Sequence, residues 1–156
     1  KPWIDIELEL IFVERFALVK MIIPVFKALK RNDGIAIGHV VRHQDGKESP
    51  FMYWTSVGNT NYKELCKGLS VISPNCFSID GIPGYLRFTL ARSPIYAWHD
   101  PVKIDHQILY RHTDQGRHIF NFRIIPEIDL TVINEHVKWI NHVPASFDWT
   151  NGMNIN

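Results

Sequence analysis

Hydrophobic and polar residues alternate most cleanly at the start of the chain. Between positions 3 and 13, Ile4, Ile6, Leu8, Leu10 and Phe12 interleave with Asp5, Glu7 and Glu9. A period of two predicts a strand with one apolar and one acidic face. Residues 17–25 predict a second strand, where Pro24 calls for an edge or a bulge. Strands at 34–41 and 51–57 follow, behind turn chemistry at Asn32-Asp33-Gly34 and Asp45-Gly46. Segments 69–72 and 77–79 flank Ser73-Pro74-Asn75, which predicts a tight hairpin. Asp80-Gly81 and Pro83-Gly84 predict another turn before 85–91, where Leu86, Phe88 and Leu90 alternate with Tyr85, Arg87 and Thr89. After a loop from 92 to about 116, residues 118–125 predict a further strand.

Only then does the period change. Leu130, Ile133, Val137 and Ile140 share one face of a helix that Asp129 can cap. About eight short strands and one late helix predict an all-β fold, an antiparallel β-sandwich with one short C-terminal helix. A chain of 156 residues suits a single domain spanning 1–156.

Composition narrows the function classes. Hydrophobic residues make up 46% and the formal net charge is +1, so the chain can form a core. Near-neutrality argues against nucleic acid, which demands a basic stripe. No apolar run reaches the length of a membrane span, because Lys20 and Pro24 interrupt the best candidate at 16–26. Two cysteines, Cys66 and Cys76, are too few for a disulfide scaffold and read as buried, reduced thiols. With no signal-peptide pattern, this points to the cytoplasm. The start at Lys1-Pro2-Trp3, almost in mid-strand, suggests a segment of something longer.

Candidate chemistry is sparse. Asp5, Glu7 and Glu9 have the spacing of glycosidase carboxylates, yet any solvated strand face would carry them. His39 and His43 are four strand residues apart, too far to share one ion. His99, Asp100, His106, His112 and His118 crowd the long loop without a metal-binding motif. We therefore expect no metal ligands and no catalytic residues. Trp54, Tyr96, Trp98, Tyr110, Phe147 and Trp149 could stack on sugar rings, and Tyr96 and Trp98 in the long loop are the candidates for substrate binding.

Three stretches in order carry a resemblance. They are Gly68-Leu69-Ser70-Val71-Ile72 with Cys76-Phe77-Ser78, then Leu86-Arg87-Phe88-Thr89-Leu90-Ala91-Arg92-Ser93-Pro94, then Asp114-Gln115-Gly116-Arg117-His118-Ile119-Phe120-Asn121-Phe122. Over about 68–126 the chain resembles the C-terminal β-domain of the zinc-dependent α-mannosidases, glycoside hydrolase family 38. The resemblance implies part of a galactose-mutarotase-like super-sandwich. It also implies that zinc and the carboxylate nucleophile belong to an N-terminal catalytic domain, a partner of this segment, and that this segment needs no cofactor of its own. The implied chemistry is retaining hydrolysis of a mannoside.

Arg92, at the end of the Arg-Ser-Pro strand, could be lent to the cleft to hold a carboxylate or sugar hydroxyls, or could pin the loop. Asp114 and His118 read as structural partners of each other or of the loop. Glu127 stands where the family often has a histidine. Uncovered strand faces in such a segment predict self-association. Two other readings compete. One is a free-standing carbohydrate-binding module using Tyr96 and Trp98. The other is a small metal-dependent hydrolase built on the loop histidines.

Overall fold

The computed structural model describes residues 3–25, 27–28, 30–58, 68–95, 107 and 109–141. Their strands are β1 (Ile4–Phe12), β2 (Leu18–Pro24), β3 (Lys30–Gly34), β4 (His39–His43), β5 (Ser49–Pro50), β6 (Tyr53–Gly58), β7 (Gly68–Ser73), β8 (Ser78–Ile82), β9 (Tyr85–Arg92) and β10 (Gly116–Ile125). One helix follows, α1 (Leu130–Asn141). The strands form two antiparallel sheets, one ordered β1-β10-β7-β6-β3-β4 and the other β2-β9-β8-β5. The fold is an all-β antiparallel sandwich, as the alternation predicts.

The strand periods place the core. Ile6, Leu8 and Leu10 of β1 turn inward, and Ile4 and Ile11 stay exposed. Leu86, Phe88 and Ile79 of the small sheet meet Val57, Val71, Phe120 and Phe122 of the large one. Phe88 packs edge-to-face on Phe51 at 5.7 Å and on Phe122 at 5.4 Å, pairings worth about 0.5–1.5 kcal/mol each beyond their buried area. The β1 carboxylates lie on a solvated face, where Arg123 of β10 grips Asp5 through two nitrogens at 2.6 and 2.8 Å. Its hydrogen bonds hold the Asp5 carboxyl below the usual carboxylate range.

Helix α1 lies on the outer face of the large sheet, burying Ile133 against Trp54, Ile72 and Ile125. Asp129 caps it, its carboxylate accepting the Thr131 N–H at 2.8 Å. Glu127 prepares the same end, its carboxylate accepting the backbone N–H of Ile128 at 2.8 Å. Pro24 sits on β2, an edge strand, where no ladder N–H is missed.

Four expectations are corrected. Ser73-Pro74-Asn75 is not a hairpin turn: β7 belongs to the large sheet and β8 to the small one, so the chain crosses between layers there. Asn75 explains how the crossing is tolerated. Its amide donates to the Ile119 carbonyl at 2.7 Å and accepts the Asn121 N–H at 3.0 Å, replacing the ladder that β7 abandons. Asp80-Gly81 lies inside β8, and the hairpin to β9 turns only at Pro83-Gly84, with Gly84 at φ +97°.

Asn32-Asp33-Gly34 is strand, not turn, and within segment 34–41 residues 35–38 form the hairpin corner, closed by Ile35 N–H to Gly38 O at 3.1 Å, before β4 begins at His39. Trp54, one of the aromatics that could stack on a sugar, is a core residue packed under α1.

The polar look of Asn32-Asp33 has an interior cause. Arg31 and Asp33 are both buried between the sheets, with Arg31 Nε 3.0 and 3.1 Å from the two Asp33 oxygens. Thr55 donates to Asp33 at 2.7 Å and Arg31 donates to Ser49 at 2.6 Å. The pair is satisfied on several sides, the condition for burying charge. Opposite it, a Cβ on Gly81 would fall 2.7 Å from Gln44 Oε1 and 3.2 Å from Arg31 Nη1. Gly81 is thus a strand glycine selected by close approach, not by a turn.

Candidate functional site

Arg92 ends β9 on the outer face of the small sheet. Leu18 lies beside it in register, and a bulge between Val19 and Lys20 offsets the next pair. The backbone around it is tightly held. Its N–H donates to the Asp114 carboxylate at 3.0 Å, and Thr113 donates to its carbonyl at 2.8 Å. Asp114, at φ +53°, presents that carboxylate, while its own carbonyl lies 2.7 Å from His118 Nε2. Asp114 and His118 are therefore structural partners, as the sequence suggests.

Ser93 is fully buried and secures the chain's exit. Its carbonyl accepts the Phe16 N–H, its N–H reaches Ala17 O, and its hydroxyl accepts the Ala17 N–H at 3.1 Å. His112 Nδ1 lies 2.9 Å from the Ser93 carbonyl, and its ring meets Phe16 edge-on. In the Arg-Ser-Pro stretch, serine and backbone do the pinning.

The Arg92 guanidinium does something else: it pairs with Glu48, from the segment before β5. Glu48 also accepts Ser78 Oγ at 2.9 Å and Thr89 Oγ1, and lies 3.8 Å from Lys20 Nζ. Lys20 contacts Asp80 as well, and Arg87 closes on the same carboxylate, which is 1% exposed. Five residues thus alternate in sign across the face: Arg92, Glu48, Lys20, Asp80, Arg87. Burial alone would raise the Glu48 carboxyl, but bonds from Thr89 and Ser78 and the charges of Lys20 and Arg92 outweigh it and hold it below its usual range.

Glu48 is engaged on several sides, by Arg92, Lys20, Ser78 and Thr89. The network can recognise charge or hydroxyls through the half-exposed Arg92, 51% accessible at its side chain.

Sequence reasoning missed Glu48 and Asp80. Glu48 sits in a polar loop, and only β5–β8 and β8–β9 pairing brings it to Arg92. Tyr96 and Trp98 lie outside the described residues, as do His99, His106 and Cys66. Cys76 is a buried free thiol, pushed by burial up to about 11. Among the described residues, no three His, Cys, Asp or Glu side chains cluster closely enough to hold a metal ion. No described helix is long and apolar enough to cross a membrane.

No family model and no curated protein matches the chain by sequence. The chain is similar in structure to a glycosyl hydrolase family 38 protein from Enterococcus faecalis. The TM-score is 0.59 at 13% identity, over 78% of this chain and 14% of that one. At this identity the likeness shows the fold, a sandwich shared with a small segment of a much longer glycosyl hydrolase family 38 protein.

Proposed function

We propose that the chain is the non-catalytic C-terminal β-domain of a family 38 α-mannosidase, supporting the catalytic domain and lining its cleft. The observation that carries this reading is the match of 78% of the chain to 14% of a family 38 protein. The three ordered sequence stretches support it. Two of them fall on β7–β8 and β9, and the third enters β10. Under this reading zinc and the nucleophile are supplied by the catalytic partner, and Arg92 faces that partner or its mannoside. A cytoplasmic enzyme is part of the same proposal.

Hydrolysis of an aryl α-mannoside by the purified chain with added zinc tests it, beside a longer protein joining the chain to a family 38 catalytic domain. Activity is expected only in the longer protein, where Arg92→Ala should lower kcat/KM. Turnover by the 156 residues alone overturns the proposal. The reading also implies that the isolated chain self-associates through exposed Leu18, Ile22 and Tyr85 around the charged network. Sedimentation velocity should show concentration-dependent association that Leu18→Lys with Ile22→Lys removes.

A further inference from the structure

Helix α1 is held to the large sheet in two different ways. Ile133 packs on Trp54, Ile72 and Ile125 through apolar contact. One turn further along, His136 meets a polar cluster built by β1, by β10 and by Trp3 just before β1. Arg123 of β10 is its hub. Its Nε and Nη2 hold the Asp5 carboxylate, and its Nη1 lies 3.3 Å from His136 Nδ1. The guanidinium carbon sits 5.1 Å from the Trp3 ring centre, and that indole meets the His136 ring edge-on at 5.4 Å. The Arg123 side chain is only 11% exposed, so the hub is largely sheltered from water.

The chemistry of this contact fixes a proton state. A guanidinium carries only donors, so the Arg123–His136 hydrogen bond requires Nδ1 to accept, with the ring proton on Nε2. A second proton on the ring would set an N–H against an N–H and a positive charge beside a positive charge. The hydrogen bond and the charge balance are then lost together. Burial first, then the Arg123 charge and the terminal ammonium oppose that protonation, while Glu135 of α1 and Asp5 of β1 favour it. Trp3 adds no charge. The balance holds His136 below its ordinary value of 6.5, so the ring is neutral at neutral pH.

We propose that His136 and Arg123 form an acid-released latch, which ties α1 to β1 and β10 at neutral pH and lets go when the imidazole takes up a proton. Asp5 keeps Arg123 in place throughout, because its carboxyl is held below the usual carboxylate range and stays ionised while the histidine titrates. Released, α1 keeps the Ile133 contacts and loses its tie to β10. The tie stands beside a groove of about 380 Å³ lined by Asp5, Asn121 and Arg123 on the sheet and by Ile140 on the helix, which is then free to widen. Since the folded value of His136 is depressed, the stability the latch contributes is complete above 6.5 and is lost as pH falls through the lowered value. The latch is a property of the folded chain and does not depend on its being a mannosidase domain.

The test follows the imidazole and the helix together by NMR of the full chain, from about pH 7.5 to about pH 5, above the ordinary range of the carboxylates. His136 should titrate below 6.5, with the neutral ring in the Nε2–H tautomer. Protection factors of the α1 amides, corrected for the intrinsic pH dependence of exchange, should fall about fivefold through that midpoint, the worth of one hydrogen bond. Those of β7 should stay constant. His136→Asn offers an amide oxygen in place of Nδ1 and cannot titrate, so it should keep α1 protected throughout and remove the step. Arg123→Met should raise the His136 midpoint toward 6.5 and leave α1 weakly protected at both ends of the range. Level α1 protection while His136 titrates overturns the latch, as does a His136 midpoint at or above 6.5. An acid step that persists in His136→Asn overturns it too.

Discussion

The two sheets treat their outer faces in opposite ways. The large sheet offers Trp54, Ile72 and Ile125 to the outside, and the chain supplies α1 to cover them. The small sheet offers a chain of charges, with Leu18, Ile22 and Tyr85 exposed around it and no described element on top. Where the chain brings its own cover, burial of apolar side chains does the work. Where no described element covers the face, Asp80 is buried under Lys20 and Arg87 while Arg92 stays half-exposed on Glu48. Among the described residues, one outer face is covered by the chain's own helix and the other carries charges and exposed apolar side chains.

The largest expected effect lies on the covered face. Ile133 is fully buried, so Ile133→Ala should lower unfolding free energy by about 2–5 kcal/mol through lost transfer energy and the cavity left behind. Urea unfolding measures it. A change near zero would mean that α1 is not the cover described here.

On the charged face, Asp80→Ala should destabilise by about 1–3 kcal/mol, the range for a lost charged hydrogen bond. Lys20 and Arg87, with side chains 20% and 30% exposed, can turn to water, which limits the loss. A loss matching that of Ile133→Ala would erase the distinction between the faces.

The smallest effect is an acid one. The Glu48 carboxyl lies below its ordinary value of 4.5 in the folded state, so its contribution is complete above that value. It is lost as pH falls through the lowered folded value. Glu48→Gln should flatten the stability–pH curve in that acid window and change little at neutral pH relative to its own baseline. Arg92→Ala should cost no more than about 1 kcal/mol in the isolated chain, since surface pairs contribute little. An unchanged acid limb in Glu48→Gln would show that the network is solvated rather than coupled.

The sequence by itself determined the local periods. The alternation in β1 and β9 assigns inside and outside because side chains of a strand must point to opposite faces. The 3.6-residue spacing and Asp129 define α1 and its start, and Pro24 marks an edge strand. These rules act within a few residues, so they are written in the residues themselves. Sheet membership is not. Ser73-Pro74-Asn75 looks like a turn in either topology, and only pairing across the molecule sends β7 and β8 into different layers.

Polarity misleads for the same reason. Asp33 and Asp80 belong to turns by composition, yet both are buried in strands because Thr55, Lys20 and Arg87 converge on them from other strands and Arg31 closes on Asp33 from two positions along β3. Arg92 was legible as a strand-end cation, but Glu48, 44 positions away, was not its evident partner. Tertiary structure decides which distant groups meet, and a polar group's burial depends on whether such partners exist.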